Sequence, residues 1–269
     1  MARSTPSKCK GVVIIIGGCG YVGLCIASEM CKQGYKVVLA DINSPPTECP
    51  GDGSFSFAYC ECDITDEDSI ESMFARVDVE IAAVINLASA GMSGAAMLSP
   101  ETEKLNVLSA RLVVEACKKH DICTLLYAST YNVVFGGEEI VLGTSKTPYF
   151  PYEKHTDYYS RSKALAEQLV LKANMNSDSD LRTAVLRPAA IYGEHEKRHF
   201  PRIVHHMDCG LFSFRIGNAT VDWVHGDNLA QAFVKAMENI DKCAGKVYAI
   251  SDGTPIDSFG FLVPMCRAR

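Results

Sequence analysis

Residues Val12–Ile16 form an unbroken β-branched run, V-V-I-I-I, with no polar position to turn toward solvent. A strand of that kind is buried on both faces, as in the middle of a parallel sheet. The apolar positions then shift to helical spacing over Tyr21–Gln33 (Val22, Ile26, Met30), and Gly34 ends the helix. The same alternation recurs down the chain. Strands are predicted at Tyr35–Ala40, Phe57–Cys60, Ile81–Leu87, Ile122–Ala128 and Leu181–Leu186, with a final one at Lys246–Ile250 and a further candidate at Phe212–Ile216. Helices are predicted after Thr65 as N-cap, and over Leu105–Cys117, Asp157–Leu171, Arg202–Asp208 and Asp227–Met237. In Asp157–Leu171 the spacing puts Tyr158, Leu165 and Leu169 on one face and pairs Lys163 with Glu167 at i,i+4. Ser44–Ser56, Gly136–Tyr152, Asn174–Asp180 and Gly217-Asn218 read as loops or turns. Six strands alternating with helices predict an α/β fold, a doubly wound parallel sheet of Rossmann type that takes ligands at its carboxyl edge.

The turn after the first strand carries the first chemistry. Gly17, Gly20 and Gly23 stand at G-x-x-G-x-x-G spacing between strand and helix. The first allows a tight turn, the second a close approach of backbone to a pyrophosphate, and the third close helix packing. The helix that begins at Tyr21 and Val22 aims unpaired N–H groups at that turn, where a phosphate diester fits. Asp41 ends the second strand, placed to accept both ribose hydroxyls. A carboxylate there repels the extra phosphate of NADP, and residues 42–51 hold no Arg or Lys to offset it, so NAD is the expected cofactor. The small residues of Asn86-Leu87-Ala88-Ser89-Ala90-Gly91 let a flat cofactor lie near the backbone. Asp63 reads either as a contact to the adenine edge or as an ordinary loop aspartate.

Composition narrows the class. The chain has 269 residues, 48% of them hydrophobic, and a net charge of −6, which speaks against nucleic acid or an anionic membrane surface as main partner. Its 12 cysteines fall largely within apolar elements rather than in a secreted framework. No apolar run is long enough for a signal or membrane span, so a reducing, cytoplasmic setting is expected. Cys60-Glu61-Cys62 lacks a matching pair at zinc spacing, and no metal is expected.

Tyr159-Ser160-Arg161-Ser162-Lys163 places a phenol and an ammonium one helical turn apart. A nearby ammonium favours the phenolate and lowers its pKa, giving a proton carrier for alcohol–ketone interconversion. Lys163 is also placed to hold a nicotinamide ribose. Thr130, at the end of the fifth strand, is placed to hydrogen-bond the reacting oxygen. Asn106 lies off the apolar stripe of its helix and stays ambiguous. His225 reads as a packed helix-entry histidine, with substrate contact the rival reading.

Together Gly17-Gly18-Cys19-Gly20-Tyr21-Val22-Gly23, Asp63-Ile64, Tyr159-x-x-x-Lys163 and Leu186-Arg187-Pro188-x-x-Ile191-Tyr192-Gly193 resemble an extended short-chain dehydrogenase/reductase. Ala128–Gly137, Arg198–Val204, Asp222–Leu229 and Ile250–Gly253 resemble its 3β-hydroxysteroid dehydrogenase branch, and family 42E within it. The resemblance implies Tyr159 as general base or acid, Lys163 as its activator and Thr130 as the third member of the catalytic set. Asn106 would be a fourth. Pro188 would line the nicotinamide pocket, with Asp63, Ile64, Leu87 and Ala88 also on the cofactor side. Asn86 stands where relatives usually carry His, and Ile16 where they carry Thr or Ser. The implied layout is a polar tail (residues 1–10), an NAD-binding domain (11–190) and a partial, interleaved substrate lobe (191–269), because such relatives run on further, often to a membrane segment. That makes a shortened form the expectation. The implied activity is NAD-dependent oxidation of a 3β-hydroxysteroid or related lipid alcohol, in a possible homodimer. The rival readings are a nucleotide-sugar epimerase or dehydratase, disfavoured by Ala189-Ala190 where those carry Asn, and a non-catalytic NAD-binding isoform.

Overall fold

In a computed structural model describing residues 10–47, 55–176, 179–211 and 218–267, the chain alternates strand and helix from its first element. The order is β1 (Val12–Ile16), α1 (Tyr21–Lys32), β2 (Lys36–Asp41), β3 (Phe57–Glu61), α2 (Glu67–Ala75), β4 (Ile81–Asn86), α3 (Pro100–Lys119), β5 (Thr124–Ala128), α4 (Tyr158–Lys172) and β6 (Arg182–Pro188). There follow β7 (Ala190–Tyr192), α5 (His199–Asp208), β8 (Thr220–Val221), β9 (Trp223–His225), α6 (Gly226–Glu238), α7 (Ile240–Cys243), β10 (Lys246–Ile250), β11 (Ile256–Asp257) and α8 (Ser258–Arg267).

Seven strands form one parallel sheet in the order β10-β6-β5-β4-β1-β2-β3. The chain starts in the middle and winds outward both ways, so a crevice opens at the carboxyl ends of β1 and β4. All of β1 is buried, as its lack of alternation predicts. Ile14 and Ile16 pack into a layer with α2, α3 and α4, while Val13 and Ile15 pack into the opposite layer with α1 and α6. Each fully buried isoleucine contributes about 1.5–3 kcal/mol of transfer free energy.

Three local expectations are corrected. The alternation of six strands becomes seven, because Lys246–Ile250 pairs in parallel with β6 and extends the same sheet. The cap of α2 is Asp66, whose carboxylate accepts from the Asp68 N–H, whereas Thr65 turns back to bond Asp63. On α4 the polar stripe is the buried one: Tyr159, Lys163 and Glu167 face inward, and Tyr158, Leu165 and Leu169 are only half-buried. Polar groups go inside there because the facing strands supply partners for them. The candidate strand at Phe212–Ile216, most of the polar tail and part of the Ser44–Ser56 loop lie outside the described residues.

The chain beyond β6 adds two small ribbons, β7–β9 and β8–β11, at the carboxyl edge of the sheet. The Asp252 carboxylate ties the β7–β9 ribbon to α6, accepting from Tyr192 OH at 2.9 Å, Asn228 Nδ2 at 2.8 Å and the His225 N–H. His225 itself caps α6, its Nδ1 accepting from the Asp227 N–H, in line with the packed helix-entry reading. Among the described residues no helix is long and apolar enough to cross a membrane.

Candidate active site

A cleft of about 810 Å³ opens at the crevice predicted by the strand order. Gly17, Gly20, Tyr21, Val22, Gly23, Leu87, Thr130, Tyr159, Lys163 and Pro188 all line it. Residues far apart in sequence thus meet because each sits at, or just beyond, the carboxyl end of a parallel strand or on the helix crossing that edge.

The glycine turn is shaped by backbone alone. Gly17 has φ +75°, and a Cβ there would come within 2.8 Å of the Ala88 nitrogen. At Gly23 a Cβ would lie 2.5 Å from the Gly18 carbonyl oxygen, so α1 packs on the turn itself. A Cβ on Gly20 would meet only the Gly17 carbonyl, at 3.4 Å, and otherwise enter the cleft. Gly20 also starts α1 with no side-chain cap and no acid in the first turn, leaving N–H groups aimed at that space. The turn therefore fits a dinucleotide diphosphate. Asp41 reaches the same turn, its Oδ2 accepting from the Cys19 N–H at 3.1 Å and its Oδ1 from the Asn43 N–H at 2.9 Å. These bonds hold the carboxylate at the end of β2, where a ribose would come.

Asp41, Asp63, Ile64, Ala88 and Asn106 do not line the cleft wall. Asp63 lies at the end of β3 with its Oδ1 already taken by the Thr65 N–H and hydroxyl. Ala88 backs Gly17. Asn86 is buried, and its Oδ1 accepts from the Ala88 N–H at 3.1 Å. Asn106 acts from behind. Its Oδ1 accepts from the Ala90 N–H at 2.7 Å, and its Nδ2 donates to the Ala90 carbonyl and to Ser162 Oγ at 2.8 Å. Ser162 Oγ in turn donates to the Tyr159 carbonyl at 2.7 Å, so Asn106 ties the loop after β4 to the turn of α4 that carries the phenol.

Lys163 is 2% exposed, and its Nζ donates to Tyr127 OH at 2.8 Å and to the Ala128 carbonyl at 2.6 Å. Burial depresses its pKa to about 7, with Glu167 pulling the other way. Tyr159 is 7% exposed, and burial raises its pKa above the ordinary phenol value. The charge of Arg198 and a hydrogen bond with Ser89 act in the opposite direction. Lys163 is thus held against β5, and the influences that lower the Tyr159 phenol come from Arg198 and Ser89. Nor does Lys163 pair with Glu167. Arg187, on β6, takes that carboxylate with Nη2 at 2.6 Å and Nε at 3.1 Å, a planar fork that an ammonium cannot match. Tyr149 OH and Ser129 Oγ donate to the same carboxylate. Ser129 is the neighbour of Thr130, whose Oγ1 accepts from the Asn132 N–H at the mouth of the cleft.

Tyr127, Ser89, Arg187 and Arg198 were not among the residues singled out by spacing. A tyrosine within an apolar strand and a serine within a run of small residues carry no periodic signal, and only the fold brings them to the phenol and the ammonium.

The profile of the 3-beta hydroxysteroid dehydrogenase/isomerase family matches residues 14–268. Short-chain dehydrogenase/reductase family 42E member 1 of Homo sapiens is 39% identical over 268 residues, 95% of this chain and 67% of that protein. The chain spans about two thirds of the length of such relatives. Sterol-4-alpha-carboxylate 3-dehydrogenase (decarboxylating) of Saccharomyces cerevisiae is 29% identical over 257 residues, 90% of this chain and 71% of that one. Among solved structures, UDP-glucose 4-epimerase from Bifidobacterium longum with NAD+ and UDP superposes with a TM-score of 0.79 at 22% identity, covering 96% of this chain and 83% of that one. At that identity the likeness speaks for the fold alone, the doubly wound parallel sheet. From the family profile and the identities of its relatives, this chain belongs to the 3-beta hydroxysteroid dehydrogenase/isomerase family, a family of oxidoreductases.

Proposed function

We propose that this chain is an NAD-dependent dehydrogenase that oxidises a secondary alcohol, its substrate a 3β-hydroxysteroid or a related lipid alcohol. The observation that carries the reading is the shared cleft: glycine turn, Thr130, Tyr159 and Lys163 all face one cavity. When bound, the nicotinamide supplies the hydride acceptor. The chain's residues do the rest. Gly17, Gly20, Gly23 and the first N–H groups of α1 hold the diphosphate, and Asp41 accepts from the adenosine ribose. Thr130 Oγ1 and Tyr159 hold the substrate oxygen, and Tyr159, in its phenolate form, takes the hydroxyl proton as the hydride leaves carbon for the nicotinamide. Lys163, on the cleft wall, would hold the nicotinamide ribose. Pro188 walls the nicotinamide pocket, and Asn106 positions Tyr159 through Ser162.

Names of relatives support the substrate class: the yeast protein is a sterol dehydrogenase, and a 26% identical relative from Mycolicibacterium neoaurum is a 3-beta-hydroxysteroid dehydrogenase. Residues 191–269 then act as the substrate-facing lobe, and the protein works in the cytoplasm, as a monomer or homodimer.

The test follows NADH absorbance with purified protein and a 3β-hydroxysteroid. Tyr159→Phe lowers kcat by about 10²–10⁴ while NAD affinity, read by calorimetry, stays unchanged. Because burial keeps the phenol protonated, the wild-type oxidation rate climbs as pH rises through the alkaline range. Equal turnover by Tyr159→Phe sinks the mechanism, and NAD binding without turnover by the wild type favours the non-catalytic reading.

A further inference from the structure

On the wall opposite the glycine turn, α5 and the residues before it bring Lys197, Arg198, His199 and Arg202 to the cleft. In a chain of net charge −6, this is a concentration of positive charge at one place. Glu196 is the single carboxylate among the described residues that line the cleft. It is already engaged, its two oxygens accepting from the N–H groups of Arg198 at 2.6 Å, His199 at 2.7 Å and Phe200 at 3.1 Å. The two guanidinium groups have neutral partners. Arg198 Nη1 lies 3.1 Å from the Met92 thioether and Arg202 Nη2 donates to Ser93 Oγ at 3.0 Å. Among the described residues neither arginine has a carboxylate within ion-pair distance. A thioether is a weak acceptor, whereas guanidinium groups match oxyanions with paired, charge-assisted bonds.

We propose that Arg198 and Arg202 form a receptor for an oxyanion carried by the substrate, so that the enzyme selects acid-bearing alcohols over neutral ones. This deepens the dehydrogenase reading and rests on it for the identity of the reacting group. Arg198 lies against Met92 in the loop after β4, and its charge reaches the Tyr159 phenol, so it stands toward the reacting groups of the cleft. The bound anion takes the place of Met92 and Ser93 as the partner of the two guanidinium groups. Its rival source is a nucleotide-sugar diphosphate, which shares the chemistry.

Trp223, the single tryptophan, offers the readout, because its ring packs 6.1 Å from that of Phe200 in α5. Its fluorescence is titrated in the full chain with a 3β-hydroxysteroid carboxylic acid, with the methyl ester of that acid, and with UDP-glucose. NADH formation is followed in parallel. Expected is at least tenfold tighter binding of the acid than of the ester, a preference abolished in the Arg198→Gln/Arg202→Gln double variant with ester affinity held within twofold. Equal binding of acid and ester, with UDP-glucose also insensitive to the double substitution, overturns the proposal. So does a preference for acid that survives the substitution, or a tenfold loss of NAD affinity in place of substrate affinity. Arginine-dependent binding of the acid without NADH formation upholds the receptor and removes the dehydrogenase reading. Arginine-dependent binding of UDP-glucose alone upholds the receptor and replaces the lipid alcohol with a nucleotide sugar.

Discussion

The two walls of the cleft are built on opposite principles. The glycine-turn wall rests on a fully buried strand and on a turn whose shape leaves no room for a side chain at Gly17 or Gly23. The α5 wall has no buried residue in its helix, and its hold on the body comes from aromatic packing of Phe200 and two long arginines. One wall is determined by backbone and core, the other by side chains at the surface. A cofactor common to many enzymes needs the first, and a substrate peculiar to one needs the second. Function divides along the same line as stability.

The sharpest way to break this contrast is at the buried network behind the first wall. Glu167 is 0% exposed and Arg187 4%, so Glu167→Ala strands a guanidinium in the core. Urea denaturation should show a loss of about 3–5 kcal/mol, and a loss below 1 kcal/mol places solvent where the structure has none. Next comes Gly23→Val, whose side chain collides with the Gly18 backbone. It should cost about 1–3 kcal/mol in the same assay and weaken NAD binding in calorimetry.

Lys163 gives a pH signature. Its folded pKa of about 7 lies below the ordinary lysine value of 10.5, so the unfolded chain holds more protons between those limits. Stability of the cofactor-free protein should therefore rise with pH across that window, by up to about 1.4 kcal/mol per unit, and flatten below it where both states are protonated. Lys163→Met should remove the slope, and an unchanged slope assigns it to other groups. The smallest effect belongs to the second wall. Arg198→Gln should alter unfolding free energy by no more than about 0.5 kcal/mol, since the side chain is exposed. A larger loss would make α5 part of the structural frame.

What could be read from the residues follows the same division. The glycine turn, the doubly buried first strand and the end-of-strand Asp41 are local patterns, and each stands where the spacing predicts. The burial of Lys163 is not legible in the spacing, because apolar periodicity assigns a helix its inner face and α4 turns its polar stripe inward instead. Only the arrival of Tyr127 and Arg187 from separate strands makes that burial affordable. Arg198 and Arg202 are exposed surface cations by every local criterion, and their convergence on the cleft depends on how α5 is carried back over the sheet. Asn106 sat outside the apolar stripe for a reason now visible, since it bridges two segments 16 and 56 residues away.

The place of β10 in the sheet bears on how the chain is made. Lys246–Ile250 covers the outer edge of β6, with Ile250 opposite Pro188, and the Ala189 N–H donates to the Ile250 carbonyl. On the ribosome β6 emerges well before its outer neighbour, and until that neighbour arrives its edge stands open to any other extended strand. The nascent polypeptide thus passes through a window of exposure that closes only once residues 246–250 have been translated and paired.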